Sequence, residues 1–384
     1  MSEWKKVKLG DVCERVTSGG TPKANITSYY NPPTVPWLKT KEVNYCRITE
    51  TENYISEEGL ANSSAKLIAP NSVIIAMYGQ GDTAGRVAIN KIPLTTNQAC
   101  CNLTIDESKA DYEFIYYQLC TLYKKMVSLK AGAAQPNLNA QIIKNLEIKL
   151  PSLLIQHRIA TILSRYDSLI ENYQKQIKLL EEAAQRLYKE WFIDLHFPSH
   201  ENTRIVDGVP EGWTPSKLGQ LAEFKRGKTI TRKEVIEGDV PVVAGGLEPA
   251  YFCNKSNTAE RVITVSGSGA NAGFTRMYFE KVWASDCSFV DASTTPFLHF
   301  VYCFLKDNKT IIDNLQKGAA QPHVYAKDIN SLEICVPSVS VLKSFEEKAS
   351  KYFDTIASLQ SQLRLLTEAR DRLLPKLMSG EIEV

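Results

Sequence analysis

Lys130-Ala-Gly-Ala-Ala-Gln-Pro136 recurs later in the chain as Lys317-Gly-Ala-Ala-Gln-Pro322. From Gly132 onward the two copies are offset by 186 residues, and the offset persists downstream. The pairs that share it are Leu146/Leu332, Ile148/Ile334, Pro151/Pro337, Tyr166/Tyr352, Glu182/Glu368 and Arg186/Arg372. Because an internal repeat decides the architecture of a chain, the sequence predicts two related halves.

The repeat also extends toward the amino terminus, with different offsets. Three pairs of segments carry it: Trp4 and Trp213, Leu9-Gly10 and Leu218-Gly219, and Gly79–Gly85 and Gly267–Gly273. The first two pairs are 209 residues apart and the third is 188 apart, which makes the second globular part 23 residues shorter (209 against 186). The repeated segments therefore predict that each half consists of a globular unit followed by a helix.

The two helices show the periodicity of a coiled coil. Their apolar residues recur in alternating steps of three and four, which is typical of helices that pair along a seam. The first series is Leu163, Tyr166, Ile170, Tyr173, Ile177, Leu180, Ala184, Leu187 and Trp191; the second is Ala349, Tyr352, Ile356, Leu359, Leu363, Leu366, Leu373 and Leu377, interrupted by Arg370. A helix from Gln156 to Phe192 would be ~55 Å long, which suits a spacer. The alternative is that each helix packs into the core of its own domain.

The globular parts mix two kinds of segment. Short β-rich runs occur at Val73–Met77, Val240–Ala244 and Arg261–Val265, and helical runs at Tyr112–Met126 and Pro296–Leu305. This mixture predicts an α+β fold and leaves the strand order open.

The composition is that of a globular protein, with 43% apolar and 23% charged residues among 384. The longest apolar run, Val73–Tyr78, is far shorter than the ~20 residues of a membrane-spanning helix, and the amino terminus has no secretion-signal pattern. Nine cysteines, an odd number without a Cys-x-x-Cys pair, favour a reducing compartment. We therefore expect a cytoplasmic protein.

Two short motifs resemble known sites but lack essential parts. Asn31-Pro32-Pro33-Thr34 is similar to the Asn-Pro-Pro-aromatic turn of amino-group methyltransferases, yet Thr34 replaces the aromatic residue that stacks on the base. His196 and His200 have the spacing of a zinc pair, but Pro198 between them breaks a helix. No catalytic triad, nucleophile elbow or Walker loop is apparent, so we expect no catalytic activity and no metal site.

Two further features are candidates for contact with nucleic acid. Strand-like residues follow the glycine-rich segments, which therefore predict tight hairpins close to a neighbouring molecule, DNA or otherwise, and not a dinucleotide loop. The second feature is Lys225–Lys233, with five cations and no acid. Its weaker counterpart in the first half is Thr17–Lys23, joined by Lys39, Lys41 and Arg47. Phosphate contact and a merely solvated surface are the two interpretations.

The repeated pattern of Trp-x4-Leu-Gly, Gly-Ala-Ala-Gln-Pro, proline and long helix resembles the specificity subunit of type I restriction–modification systems. The resemblance covers essentially the whole chain, and the ending Leu373-Leu374-Pro-Lys-Leu-Met-Ser-Gly380 is typical of that family. It implies two target-recognition domains, each of which binds one half of a bipartite DNA sequence. It also implies two long antiparallel coiled-coil helices that set the unread spacer.

The expected fold is therefore α+β with an internal pseudo-twofold duplication. The first recognition domain covers residues 1–151 and the central helix 152–197; a linker and the second recognition domain cover 198–337, and the last helix covers 338–384. The resemblance implies double-stranded DNA, two methyltransferase subunits and two motor–nuclease subunits as partners, and no membrane. S-adenosylmethionine, ATP and Mg²⁺ are implied for those partners, and no cofactor for this chain.

For DNA contact we expect polar and basic side chains of the glycine segments and basic clusters. The candidates are Lys23, Lys39, Tyr78, Gln80, Thr83 and Arg86 in the first half, and Arg226, Lys228, Thr229, Ser268, Asn271 and Arg276 in the second. Gln135 and Gln321 are identical in the two halves, whereas residues that read two different half-sites should differ. We therefore assign these glutamines a structural role.

Two alternatives remain open at this stage. The chain could be the reader subunit of a related system whose nuclease is fused to the methyltransferase, or a coiled-coil scaffold without DNA function. The identity of the co-purifying subunit distinguishes the first case, and a salt-dependent shift of duplex DNA distinguishes the second.

Overall fold

The computed structural model describes residues 4–130, 137–316 and 322–384. The chain folds into two compact units, Met1–Glu171 with Arg364–Val384 (unit 1) and Asn172–Leu363 (unit 2). Each unit combines a globular part with a segment of each long helix. The domain borders expected at 151, 197 and 337 stay predictions, since the units divide both helices.

The globular part of unit 1 is a mixture of short strands and helices. Its strands are β1 (Lys5–Lys8), β2 (Cys13–Ser18), β3 (Val35–Leu38), β4 (Cys46–Ile48), β5 (Tyr54–Ile55), β6 (Val73–Ala76), β7 (Val87–Asn90), β8 (Thr95–Thr96), β9 (Cys100–Ile105) and β10 (Glu147–Leu150), and its helices are α1 (Glu57–Ala61), α2 (Tyr112–Thr121), α3 (Tyr123–Ser128) and α4 (Ala140–Lys144). The sheets have the orders β2-β9-β6-β7-β4, β5-β3-β8 and β1-β10. The first long helix, α5, follows at Leu153–Phe192.

Unit 2 repeats this mixture. Its strands are β11 (Ile205–Val206), β12 (Val209–Pro210), β13 (Thr214–Lys217), β14 (Lys225–Arg226), β15 (Val240–Val243), β16 (Tyr251–Cys253), β17 (Val262–Ser266), β18 (Thr275–Tyr278), β19 (Trp283–Ala284), β20 (Cys287–Asp291) and β21 (Glu333–Val336), and its helices are α6 (Leu218–Leu221), α7 (Leu298–Asp307), α8 (Lys309–Asn314) and α9 (Ala326–Asn330). The sheets have the orders β14-β20-β17-β18, β16-β15-β19, β13-β21 and β11-β12. The second long helix, α10, is Val339–Ser379.

The two units share one topology. The order β14-β20-β17-β18 matches β2-β9-β6-β7, and β16-β15-β19 matches β5-β3-β8, with a parallel pair in the same place in each. Helices α2 and α7, α4 and α9, and α5 and α10 begin 186 residues apart. The predicted duplication and the α+β fold are therefore confirmed. Within the described part of unit 2 no strand matches β4, which belongs to the longer stretch between β3 and β6.

A strand near the start of each globular part pairs with its last strand and so closes that part. β1 pairs with β10 and β13 with β21, both antiparallel. Beyond these pairs, the amide of Leu9 donates to the carbonyl oxygen of Leu146 (2.8 Å), and that of Leu218 donates to Leu332 (2.9 Å). Leu9 and Leu218 are fully buried. The repeated Trp-x4-Leu-Gly segment therefore marks the place where the two ends of each globular part meet.

Each long helix contributes its two ends to two different cores. In unit 1 the start of α5, with Leu163, shares a core with the end of α10, with Leu377. In unit 2 the end of α5, with Tyr188, shares a core with the start of α10, with Phe345. This reciprocal use is that of antiparallel helices. Regular coiled-coil packing along the seam stays a prediction. In the described residues, no helix is long and apolar enough to span a membrane.

An aromatic cluster dominates the core of unit 2 where the helices enter it. The Phe345 ring lies 5.0 Å from that of Phe192 and 5.8 Å from that of Trp191, centroid to centroid, and is fully buried. Tyr188 and Phe300 complete the cluster. Burial of such rings is worth several kcal/mol because both transfer from water and close packing favour it.

Phe345→Ala should therefore lower the free energy of unfolding by ~3–5 kcal/mol, since it leaves a cavity among rigid aromatic neighbours. Phe252→Ala is the matched control, because Phe252 lies on β16 and is half-exposed; its effect should stay within ~0.5 kcal/mol. Urea unfolding of the full chain followed by circular dichroism measures both. Equal effects of the two substitutions would contradict the packing described.

Candidate nucleic-acid interface

The turn that follows β14 places two predicted cations of unit 2. The amide of Gly227 donates to the carbonyl oxygen of Cys287 (2.8 Å), and the amide of Lys228 donates to that of Ala284 (2.9 Å). A Cβ atom at Gly227 would lie 2.6 Å from the Ala284 oxygen, so only glycine fits. Arg226 and Lys228 are consequently exposed on either side of the glycine.

The same turn follows β2 in unit 1. The amide of Gly19 donates to the carbonyl oxygen of Cys100 (3.3 Å), and the amide of Gly20 donates to that of Thr96 (2.8 Å). A Cβ atom at Gly19 would overlap the backbone of Thr96. The basic segments of the two halves therefore occupy the same place in the two units, and Lys23 follows the turn of unit 1.

A tryptophan indole binds each of these turns. Trp37 on β3 donates its Nε1–H to the carbonyl oxygen of Gly20 (3.0 Å), and Trp283 on β19 donates to that of Lys228 (2.7 Å). Since β19 is the equivalent of β8, the two indoles come from neighbouring strands of the three-stranded sheet. Both units therefore have this hydrogen bond, although the two tryptophans do not occupy equivalent positions in the repeat.

The ammonium group of a lysine also lies over each of these tryptophan rings. The Nζ atom of Lys39 lies 4.9 Å from the centroid of Trp37 and donates to Oδ1 of Asn53 (3.0 Å). The Nζ atom of Lys255 lies 5.0 Å from the centroid of Trp283. An aromatic face orients a cation without neutralising it, so both lysines remain able to meet a phosphate. Lys39 is a predicted contact, whereas no sequence motif points to Lys255.

Asp286 accepts hydrogen bonds from two residues of unit 2 that were predicted to contact DNA. Nη2 of Arg226 donates to one carboxylate oxygen (2.7 Å), and the hydroxyl of Ser268 donates to the other. Gln98, its equivalent 188 residues earlier, accepts from the hydroxyl of Thr21 in unit 1. The basic segment thus has an acidic neighbour that its own sequence lacks. Arg226 is still 47% exposed, and its other N–H groups suit a phosphate or a guanine edge.

Both glycine-rich segments form hairpins, as predicted. One joins the antiparallel strands β6 and β7, and the other joins β17 and β18. Gly85 and Gly273 have φ values of 92° and 85°, which favour glycine. Nδ2 of Asn271 donates to the carbonyl oxygen of Gly245 (3.4 Å), so the second hairpin lies beside the loop that follows β15.

The predicted arginine of each hairpin is paired with a carboxylate. Arg86 donates to Asp82 (2.5 Å), and this hydrogen bond lowers the pKa of Asp82. Arg276 donates to the carbonyl oxygen of Leu247 (2.9 Å) and to Glu248 (3.2 Å). Each guanidinium is therefore held in one orientation while its positive charge is partly balanced.

The other candidates differ in exposure. Lys23, Gln80 and Thr229 are exposed. Thr83 is half-buried, and its hydroxyl donates to the carbonyl oxygen of Gln80 (2.7 Å). Tyr78 packs against the core of unit 1, and burial raises its pKa. Of these, only the exposed residues present most of the side chain to a ligand.

Residues 131–136 and 317–321, which include Gln135 and Gln321, lie outside the described residues. Their structural role stays a prediction. Immediately after the second of these segments, the carbonyl oxygen of Pro322 accepts from the amide of Gly269 (3.1 Å). Pro322 therefore lies beside the hairpin of unit 2.

Arg47 is buried, which overturns its assignment to the basic surface of the first half. Its side chain is 7% exposed and donates to Glu113 (2.5 Å) and Asp167 (3.0 Å). Burial lowers the pKa of Arg47, but its hydrogen bond with Glu113 and the nearby negative charges raise it above the ordinary value overall. The side chain projects from β4 toward α2 and α5, a placement that the sequence pattern did not indicate.

The sequence matches the family described as the type I restriction modification DNA specificity domain over residues 1–182 and 210–364. These two ranges follow the duplication and cover most of the chain. The chain belongs to this DNA specificity family. The resemblance seen in the sequence is thereby confirmed.

Two relatives of this specificity family align over the full chain. The chain is 29% identical over 412 residues to the MjaIX specificity subunit of Methanocaldococcus jannaschii, with 100% of this chain and 94% of the relative covered. It is 21% identical over 478 residues to the HindI specificity subunit of Haemophilus influenzae, with all of both chains covered. The crystal structure of the type I restriction-modification S subunit from M. genitalium has the same fold, with a TM-score of 0.64 at 20% identity over 97% of this chain and 96% of that one.

Gly227→Ala should lower the free energy of unfolding by ~1–3 kcal/mol, because the added methyl group displaces the strand that accepts the turn's hydrogen bonds. Gly246→Ala is the control, since its Cβ atom would come no closer than 3.3 Å to the Glu248 oxygen. Thermal unfolding of the two variants measures the difference. A Gly227 variant as stable as the Gly246 variant would show that the turn is not closely packed.

Proposed function

We propose that the chain is a non-catalytic subunit that reads a bipartite, asymmetric DNA sequence, with unit 1 on one half-site and unit 2 on the other. The observation that carries this proposal is the repeated turn at Gly19 and Gly227, which lies at the same place in each unit. The turn exposes Arg226 and Lys228 in unit 2, and Ser18 with Lys23, four residues after Gly19, in unit 1. The surrounding side chains differ, as Gln98 and Asp286 do. One backbone with two sets of side chains suits a target with two different halves.

The two long helices support the proposed partners. Leu179 and Leu365 occupy equivalent positions on α5 and α10, and both are exposed, at 53% and 59%. Exposed leucines at equivalent sites favour two copies of one partner, which we assign as methyltransferase subunits. Two motor–nuclease subunits would complete the restriction complex. S-adenosylmethionine would bind to the methyltransferases, and ATP and Mg²⁺ to the motor–nucleases.

The proposed location is the cytoplasm, where the DNA and these partners would be found. All nine cysteines are free thiols. Free thiols persist in a reducing compartment, which supports this assignment.

Arg226→Ala with Lys228→Ala should weaken DNA binding by the complex reconstituted with the methyltransferase. Each lost phosphate contact should reduce the slope of log affinity against log salt by ~0.9, because fewer counterions are released. Fluorescence anisotropy with a labelled duplex at several salt concentrations measures the slope.

Lys217→Ala provides the matched control for this pair. Lys217 is exposed on β13, outside the turn, and its removal should leave the slope unchanged. An unchanged slope and affinity in the double variant would show that the basic segment is only solvated. A change in base preference at a constant slope would assign the segment to base reading instead.

The distance between half-sites should follow the length of the helices. Insertion of one heptad after Gln176 in α5 and one after Gln362 in α10 preserves the apolar stripe on both helices. Seven residues add ~10 Å along the axis, or about 3 base pairs at 3.4 Å per pair. The methylated sequence should therefore keep its two half-sites and gain about 3 pairs of spacer.

Sequencing of methylated adenines in DNA exposed to the complex tests this expectation. Affinity should fall, since 3 pairs rotate the duplex by nearly a third of its ~10.5-pair repeat while a heptad leaves the helix seam almost unrotated. An unchanged spacer, or altered half-sites, would show that the helices do not set the distance between the half-sites.

A further inference from the structure

A buried ion cluster joins the globular part of unit 1 to the long helices. Nη2 of Arg47 donates to Glu113 (2.5 Å) and to the hydroxyl of Tyr117 (2.8 Å), both on α2. Nη1 donates to Asp167 (3.0 Å) and Glu171 (3.3 Å), both on α5. The side chains of Arg47 and Asp167 are each 7% exposed. One guanidinium therefore connects β4 to two helices.

The second long helix is bound into the same cluster. Asp167 accepts from Nη1 of Arg370 on α10 (2.9 Å) and from the hydroxyl of Tyr117 (2.6 Å). The Nζ atom of Lys91 donates to Glu113 (3.1 Å). The cations Arg47, Lys91 and Arg370 thus face the carboxylates of Glu113, Asp167 and Glu171, and Arg370 also donates to Asp371 (2.8 Å). Arg370, which interrupts the apolar series of α10, is therefore part of this ion cluster.

The equivalent junction of unit 2 is built mainly from aromatic and apolar side chains, with a largely buried polar contact between Nδ1 of His299 and a carboxylate oxygen of Glu346 on α10 (2.7 Å). At the offset of 186, the equivalents of Glu113, Tyr117, Asp167 and Arg370 are His299, Cys303, Phe353 and Ala184. The His299 ring stacks on Phe353 with centroids 4.6 Å apart and an interplanar angle of 15°, and the Cys303 thiol contacts the Ala184 carbonyl at 4.0 Å. Among the described residues of unit 2, no strand corresponds to β4 and none supplies an equivalent of Arg47.

The segment that leads into β4 contacts the proposed DNA-contacting hairpin and the strand that follows it. Oδ1 of Asn44 accepts from Nη1 of Arg86 (3.0 Å), and the amide of Tyr45 donates to the carbonyl oxygen of Val87 (2.8 Å). Residues 44–47 therefore run from the hairpin to the ion cluster. A change in the angle between β4 and the helices would therefore also move this hairpin.

We infer that Arg47 is a positioning residue that fixes the angle at which the first reading unit is held on the helices, and so sets how strictly the spacer length is measured. The inference rests on the proposed function. A planar guanidinium with four partners on two helices permits a single orientation, whereas apolar contacts are non-directional. Loss of the guanidinium should let the globular part of unit 1 rotate and accept neighbouring spacers.

The test uses the complex reconstituted with the methyltransferase and a panel of duplexes. All duplexes carry the same two half-sites, and their spacers are one pair shorter than, equal to or one pair longer than the native one. Arg47→Met should reduce the preference for the native spacer at least threefold and leave the half-site bases unchanged. Arg261→Met is the matched control, because Arg261 binds Asp354 of α10 through a pair that is 40% and 54% exposed; it should keep the full preference.

A second variant keeps the inference testable if Arg47→Met does not fold. Glu171→Gln weakens one of the four bonds at a carboxylate that is 44% exposed, and should relax the spacer preference to a smaller extent. An equal loss of affinity at all three spacers in either folded variant would mean that the cluster only stabilises unit 1, and would overturn the inference. Absence of spacer preference in the unmodified complex would instead overturn the proposed function.

Discussion

The two long helices must each complete two hydrophobic cores, one near each end, and the rest of the structure depends on this requirement. The start of α5 lies in the core of unit 1 and its end in the core of unit 2, while α10 does the reverse. Burial of a large apolar side chain contributes ~1.5–3 kcal/mol, so both ends of both helices are held by many such contacts. Apolar side chains are therefore needed near both ends of each helix, which accounts for the corresponding parts of the periodic series in the sequence.

The internal repeat made the positions of the long helices and of several strands predictable from the sequence. The helix expected to start near Gln156 begins at Leu153, and the runs at Val73–Met77 and Arg261–Val265 are strands β6 and β17. The details of the interface were not predictable, because they depend on contacts between distant residues. Asp286 reaches Arg226 over 60 positions, and Lys255 lies on Trp283 although the two belong to no motif. Arg47 was misassigned because, in the part of the chain that the structure describes, strand β4 has no counterpart in unit 2, and a repeat gives no information about a segment that is present in one copy alone.

Duplication has produced equivalent backbones that are stabilised by different chemistry. The turn after the second strand of each globular part is bound by an indole in both units, yet the indoles come from neighbouring strands. The junction with the helices is a network of ion pairs in unit 1, whereas in unit 2 it is mainly aromatic with a polar contact between His299 and Glu346. Because the frame is fixed by backbone bonds and core packing, the exposed side chains of each unit can differ freely. This separation allows a single chain to carry two different reading surfaces.

The central claim is that each unit reads its own half-site, and a matched pair of hairpin variants tests it most directly. Arg86→Gln lies in unit 1 and Arg276→Gln in unit 2, and each removes a guanidinium that a carboxylate holds in place. Methylated adenines are sequenced in DNA exposed to the complex that contains each variant. The account predicts that each variant relaxes base preference in one half of the bipartite sequence only, and that the two variants affect different halves. A variant that alters both halves, or two variants that alter the same half, would contradict it.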